Sequence, residues 1–121
     1  MAEFYVHYRY QSREDGSWSS TSSYVKTQDE HPDADDLINL IRGKDRRQFG
    51  VRLIDAENRA SKKVEFYVRY HYTRVNSSSR SSSSTYVKWH DDNPRISDIQ
   101  ALVLGYDYNY AEVQIDDFRK R

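Results

Sequence analysis

The chain has 121 residues, of which 19 are basic and 19 acidic, and the zero formal charge argues against a generic polyanion binder, which usually carries a basic excess. It contains no cysteine, which excludes disulfides, zinc–thiolate sites and thiol nucleophiles. No apolar run approaches the roughly 20 residues of a membrane span and the N-terminus shows no signal-peptide pattern, so we expect a cytoplasmic protein without membrane association.

An internal repeat organises the sequence. The segment EFYVHYRY at Glu3 returns as EFYVRYHY at Glu65, and SSYVK at Ser22 returns as STYVK at Ser84, both after 62 residues. The same offset aligns further positions without a gap, among them Pro32 with Pro94, Leu40 with Leu102, and Gly43 with Gly105. This register predicts a tandem duplication, with repeats at 1–55 and 64–121 and a connector at 56–63. Because a half of about 60 residues is marginal alone, we expect the repeats to form one compact domain.

Each repeat begins with the pattern of a long hairpin. Alternation of apolar and polar side chains predicts a half-buried first strand, with Phe4, Val6, Tyr8 and Tyr10 on the buried face of the first repeat. A polar stretch follows at 12–20 and again at 76–84, the latter rich in serine. A second strand then surrounds the YVK triplet of each repeat, which closes the hairpin.

A helix and a third strand complete each repeat. An acidic turn with proline precedes an apolar helical pattern that ends in Gly43 or Gly105, and we expect these glycines to terminate the helices. The third strand is predicted to point Phe49, Val51 and Leu53 inward in the first copy and Ala111, Val113 and Ile115 in the second. The predicted core comprises Phe4, Val6, Tyr8, Leu37, Leu40, Val51, Leu53, Phe66, Val68, Tyr70, Ile99, Leu102, Val113 and Ile115.

The element order predicts an α+β fold made of two ββαβ units. A crossover from the second strand to the third places the first strand in the middle of each unit. Two units can then join into one mostly antiparallel sheet of about six strands with two helices on one face, or pack as two sheets. We favour the single sheet.

Aromatic and cationic side chains alternate on the face of the sheet that points away from the helices. These positions are Tyr5, His7, Arg9, Tyr24, Lys26, Arg52, Tyr67, Arg69, His71, Tyr86, Lys88 and His90. Such a face is typical of a solvated sheet surface, of a protein interface, or of a site that stacks bases and pairs with phosphates.

The loops after the helices differ between the copies. The first is basic, KDRR from Lys44, whereas the second carries Tyr106, Tyr108 and Tyr110, a group of rings suited to contact with a partner. The candidate partner-binding residues are therefore Tyr5, His7, Arg9, Tyr24, Lys26, Tyr67, Arg69, His71, Tyr86, Lys88, Tyr106, Tyr108 and Tyr110. Drift between duplicated loops is the alternative explanation of the tyrosines.

No residue pattern indicates catalysis, a cofactor or a metal site. The chain lacks a phosphate loop, a nucleophile elbow and a histidine pair at helical metal-ligand spacing. The carboxylates Asp33, Asp35, Asp36 and Asp98 fall in the predicted first turns of the helices, where main-chain N–H groups favour negative charge. We therefore expect structural roles for them and no enzymatic activity.

The strand FYVHYRY, the Ser/Gly hairpin after it and the YVK strand together resemble small accessory proteins of bacteriophages and mobile elements, among them some anti-CRISPR proteins. The resemblance implies a non-enzymatic inhibitor that occludes a surface of a larger host protein complex. The contrasting hypothesis is a module that binds single-stranded nucleic acid or a nucleotide through the Tyr/His/Arg face. A third alternative is a homodimer formed through the sheet face or an edge.

Overall fold

The computed structural model describes residues 2–44, 48–59, 63–107 and 109–121, with six strands and two helices. The first repeat contains β1 (Ala2–Ser12), β2 (Trp18–Thr27), α1 (Ala34–Lys44) and β3 (Gln48–Asn58). The second contains β4 (Val64–Arg74), β5 (Arg80–Trp89), α2 (Ile96–Tyr106) and β6 (Tyr110–Lys120). Each element of the second repeat begins and ends 62 residues after its counterpart, which confirms the predicted pair of ββαβ units. Neither helix is long and apolar enough to cross a membrane, so the described residues contain no candidate span.

The strands form two antiparallel sheets, ordered β2-β1-β3 and β5-β4-β6, with the first strand of each repeat in the middle as predicted. The preference for one continuous six-stranded sheet was wrong. Its physical reason lies at Gly105 in α2, where an added Cβ would fall 1.7 Å from the carbonyl oxygen of Leu53 in β3. Because the helix packs directly against the main chain of this edge strand, β3 is not free to pair with the second sheet.

The outer strands β3 and β6 each carry two β-bulges at equivalent positions. The register with the central strand shifts between His7 and Tyr8 and between Gln11 and Ser12, and the second sheet repeats both shifts 62 residues later. Each bulge adds a residue and reverses which face the following side chains occupy. Consequently Tyr110 is buried while Ala111, predicted to point inward, is exposed.

The β3 bulge near Ile54 also brings Ala56 into the core, where it is fully buried. The strand then continues to Asn58, three residues into the segment 56–63 that was predicted as a connector. The predicted inward position of Phe49 lies outside the described side chains.

Both repeats contribute to a single hydrophobic core. Most of the predicted residues are buried there, but Leu40 and Ile115 are only partly buried and pack at its margin. The core also includes Val25, Ala34, Ile41, Val87, Trp89 and Val103. Burial of this apolar surface, at about 25 cal/mol per Å², is the main force that holds the repeats together.

The helices do not end at their glycines. Gly43 and Gly105 lie inside α1 and α2, which continue for one residue more, to Lys44 and Tyr106. The two glycines also have different surroundings, because an added Cβ at Gly43 would meet no atom within 4 Å. Close packing explains the glycine at 105, and nothing in the structure requires one at 43.

Candidate functional site

Each sheet has one face turned away from the core. We call the first outer face the surface formed by Tyr5, His7, Tyr24 and Lys26. We call the second outer face the surface formed by Tyr67, Arg69, His71, Tyr86 and Lys88. The predicted candidates are thus divided between two surfaces rather than gathered on one sheet.

On the first outer face the aromatic rings form a connected group. The Tyr5 ring centroid lies 4.6 Å from that of Tyr24 and 4.8 Å from that of His7, and the Tyr5 hydroxyl shares a 2.7 Å hydrogen bond with Ser22. His7 Nδ1 lies 2.8 Å from Asp55, so this imidazole already has a carboxylate partner. Tyr24 remains half exposed.

On the second outer face the equivalent tyrosine pair is Tyr67 and Tyr86, with ring centroids 5.2 Å apart. Tyr86 is 52% exposed. Arg69 forms a two-pronged contact with Asp117, one arm of which is 3.0 Å long, and His71 Nδ1 lies 2.6 Å from Asp116. The hydrogen bonds from Arg69 hold the pKa of Asp117 below its usual range. This face therefore presents aromatic rings beside Arg69 and His71, each of which already contacts a carboxylate.

A Glu–Arg–Tyr contact is repeated at the margin of both faces. In the first repeat Arg59 binds Glu3 and places its guanidinium 5.3 Å from the centre of the Tyr24 ring. In the second, Arg121 binds Glu65 and lies 4.8 Å from the centre of Tyr86. The hydrogen bond from Arg59 lowers the pKa of Glu3. One side of the Tyr24 ring and one side of the Tyr86 ring are thus each covered by an arginine, a cation–π arrangement that orients the ring.

Arg9 and Arg52 do not belong to an open surface. Arg9 Nε donates to the carbonyl of Gly105 at 2.8 Å and Nη2 to that of Tyr106 at 3.3 Å. Arg52 Nη1 donates to the carbonyls of Leu104 at 3.3 Å and Tyr110 at 2.9 Å. Carbonyls at a helix C-terminus lack partners within the helix and carry partial negative charge, so the two cations stabilise the end of α2. Arg9, predicted as a partner-binding residue, thus makes a contact between the repeats.

The predicted tyrosine patch after α2 does not form as a unit. Tyr106 is 56% exposed, whereas Tyr110 is buried, with its hydroxyl 2.8 Å from that of Tyr70. Burial raises the pKa of Tyr110, and the bond to Tyr70 acts in the same direction. Tyr108 lies outside the described residues, as do Asp45, Arg46 and Arg47 of the basic loop.

His90 was predicted on the sheet face and is instead buried beyond the end of β5. Its Nε2 lies 2.8 Å from the carbonyl oxygen of Pro32, which can only accept, so Nε2 carries a proton. The ring packs edge-on against Phe4 at 4.8 Å. His90 therefore joins the second repeat to the first.

An acidic depression of about 440 Å³ lies where the loops before the two helices meet. One of its carboxylates, Asp98, is buried and accepts hydrogen bonds from two main-chain N–H groups, Arg95 at 2.9 Å and Ala34 at 2.8 Å. A single side chain thus caps α2 and binds the first residue of α1, in line with the structural role expected of it. Nowhere in the described ranges do three or more histidine or carboxylate side chains form a group that could hold a metal ion.

Two serines of β5, Ser82 and Ser84, extend the second outer face, and the residue patterns did not identify them as part of it. Ser82, Ser83 and Ser84, together with Tyr67, Arg69, Tyr70, His71 and Asp116, line a shallow depression of about 550 Å³. Exposed serines on a strand resemble a hairpin tip in sequence. Only the observed pairing, Arg69 with Ser84 and His71 with Ser82, places them beside the aromatic and charged side chains.

Searches of protein-family models, curated proteins and solved structures found no match to this chain.

Proposed function

We propose that this is a non-enzymatic binding protein that attaches to a protein partner through the second outer face. The observation that carries the proposal is the tyrosine pair of half-buried Tyr67 and exposed Tyr86, which lies beside the outward serines of β5. Tyrosine supplies large contact area at low entropic cost and serine supplies adaptable hydrogen bonds, the combination found in recognition surfaces.

The charge arrangement favours a protein partner over a polyanion. Arg69, His71 and Arg121 each contact a carboxylate of the same sheet. A phosphate would have to compete with these carboxylates, which reduces the gain from counterion release that drives nucleic-acid binding. Single-stranded nucleic acid is the second candidate because Tyr67 and Tyr86 expose ring surface on which bases stack.

Binding at this face would act by occlusion, since the partner surface that covers Tyr67 and Tyr86 becomes inaccessible to other molecules. This mode of action agrees with the resemblance to phage and mobile-element inhibitors, and a bacterial cytoplasmic protein complex is the target class that the proposal assigns.

The test compares two matched double variants in affinity capture from bacterial lysate. Tyr67→Ala with Tyr86→Ala removes the pair on the second outer face, and Tyr5→Ala with Tyr24→Ala removes its equivalent on the first. We expect the first variant to reduce recovery of the specifically captured protein about tenfold or more, as loss of aromatic anchors does. The second variant should bind like the wild type, and circular dichroism should report an unchanged fold for both.

Nuclease treatment and a salt titration separate the two candidates. A protein interface should survive nuclease and depend weakly on salt. Capture that disappears with nuclease, or an affinity for single-stranded oligonucleotides that falls steeply with salt, would assign the face to nucleic acid instead. Equal capture by the wild type and the Tyr67/Tyr86 variant would remove the second outer face as the site.

A further inference from the structure

Three of the four sheet edges carry a contact from another part of the chain at one or more positions. The main chain of β3 is packed against α2 at Gly105. In β6 the carbonyl of Val113 accepts a 2.6 Å hydrogen bond from Gln100, and two bulges interrupt the strand. In β2 the ammonium of Lys44 binds the Tyr24 carbonyl and lies 3.1 Å from Ser23 Oγ. Lysine, bulges and covering helices are devices by which proteins protect strand edges from pairing.

The fourth edge, at residues 81–84 of β5, has none of these devices. All four residues are exposed serines, and their pairing with β4 continues without a bulge. Within the described ranges, the main chain of this segment has no hydrogen bond beyond that ladder. In an antiparallel pair, alternate residues of an edge strand turn their N–H and C=O groups outward, so this segment offers unpaired main-chain donors and acceptors.

We propose that residues 81–84 of β5 receive an extended segment of the protein partner, which adds to the second sheet as a fourth strand. The proposal rests on the proposed function and specifies how the partner docks. Strand addition derives its affinity from main-chain hydrogen bonds and its specificity from alternate side chains that enter neighbouring pockets.

The depression beside this edge identifies the kind of segment that fits. Because serine side chains are short, side chains of an added strand can reach past Ser82 and Ser84 into the depression lined by Tyr67, Arg69 and His71. A second copy of β5 that pairs through the same four residues would place only serines beside them and would leave the depression unfilled. The complementary segment therefore belongs to a different chain and carries, at every second position, a long side chain that bonds the His71–Asp116 or Arg69–Asp117 pair.

The probe is a synthetic peptide with the sequence of β4, Val64–Arg74, which pairs with β5 in the protein and alternates its side chains as required. Amide hydrogen exchange is measured by NMR on the isotopically labelled full-length chain. With saturating peptide, we expect the exchange rate of the outward-facing amides within 81–84 to fall to about one tenth of its value without peptide, or lower. The same peptide with prolines at alternate positions cannot form a ladder and should have no effect.

Two matched variants locate the binding edge. Ser83 lies opposite Tyr70, on the core side of the sheet, so Ser83→Lys introduces the inward-pointing charge that blocks edge pairing. This variant should lose the peptide effect, while Thr21→Lys, at the equivalent position of β2, should retain it. Thermal unfolding of both variants confirms that the fold is kept.

Three results would overturn the proposal. The first is an exchange rate at 81–84 that the peptide leaves unchanged. The second is a peptide effect of equal size in the Ser83→Lys variant. The third is protection of 81–84 that grows with protein concentration without peptide, because this would make a second copy the occupant. The peptide assay needs no natural partner. Its outcome is therefore separable from that of the capture test, which judges the proposed function.

Discussion

At the scale of single residues, equivalent positions of the two repeats carry different structural roles. Gly43 and Gly105 align in sequence, yet only Gly105 touches another main chain. Similarly, Arg9 binds the end of α2 while its counterpart His71 pairs with Asp116 on an open face. A single sequence shows that such positions correspond but not which of them meets the other repeat, so these roles could not be predicted.

The glycine pair gives a matched test of packing. Gly105→Ala forces α2 away from Leu53, and we expect the free energy of unfolding to fall by about 1–3 kcal/mol, as in other overpacked sites. At position 43 a Cβ meets open space within a helix, so Gly43→Ala should raise the free energy of unfolding by up to about 1 kcal/mol. Urea denaturation of both variants measures the difference. Equal effects at the two positions would contradict the close contact at Leu53.

Tyr110 gives a prediction for alkaline pH. An unfolded tyrosine loses its proton near pH 10, whereas burial keeps native Tyr110 protonated to higher pH. Above about pH 10 the unfolded state therefore binds fewer protons, and the free energy of unfolding falls as pH rises, with a limiting slope of about 1.4 kcal/mol per pH unit for this group. Tyr110→Phe should show a shallower decline in denaturation measured from pH 8 to 11. An unchanged slope would mean that Tyr110 titrates normally in the native state.

At the scale of elements, the repeat made the sequence unusually informative. Two copies of each pattern fixed the order ββαβ and the central position of the first strand. The bulges were the part that alternation could not anticipate, because one inserted residue exchanges the faces of Tyr110 and Ala111 without changing the strand pattern. The sequence predicts a helix end at each glycine because glycine commonly terminates helices, whereas Gly105 lies inside α2 and its role is close packing.

The carboxylate shared between the helices provides the element-scale test. Asp98→Ala leaves the buried N–H group of Ala34 and the partly buried N–H group of Arg95 without their carboxylate partner, and we expect a loss of about 2–4 kcal/mol of stability. Its counterpart Asp36 is exposed and its carboxylate accepts a 3.3 Å hydrogen bond from the main-chain N–H of Asp33, so Asp36→Ala should lose about 1 kcal/mol or less. Thermal and chemical denaturation measure both. Similar losses at the two sites would show that Asp98 does not link the helices.

At the scale of the whole molecule, the contact between repeats joins unlike surfaces. The end of α2 meets β3 and the two arginines of the first sheet, and no comparable packing of α1 on β6 occurs among the described residues. This asymmetry explains why the candidate partner-binding residues lie on two different surfaces, one on each sheet. The first sheet engages part of its predicted binding face within the molecule, and the second sheet keeps its own open. The sequence predicted the candidate residues as a set but not their distribution over two sheets, which depends on this contact.

A chain that ends at residue 62 tests the dependence of the first repeat on the second. It would expose the edge of β3 and remove the α2 carbonyls that Arg9 and Arg52 bind, so we expect it to be unstable or to self-associate. Sedimentation and circular dichroism report both outcomes. A monomer that unfolds cooperatively would show instead that the repeat is an independent domain.

Because the two repeats meet through unlike surfaces, we can ask whether a further repeat could make the same contact with the second one. A head-to-tail contact that does not close on itself can in principle be continued by one repeat after another, as in solenoid proteins. In β6, which corresponds to β3, Asp116 and Asp117 contact His71 and Arg69, and Gln100 of α2 binds the carbonyl of Val113, so this strand makes different contacts from β3. The contact that α2 makes with β3 is therefore not repeated on β6 within the described residues, which leaves the two repeats with different neighbours although their strands and helices correspond one to one.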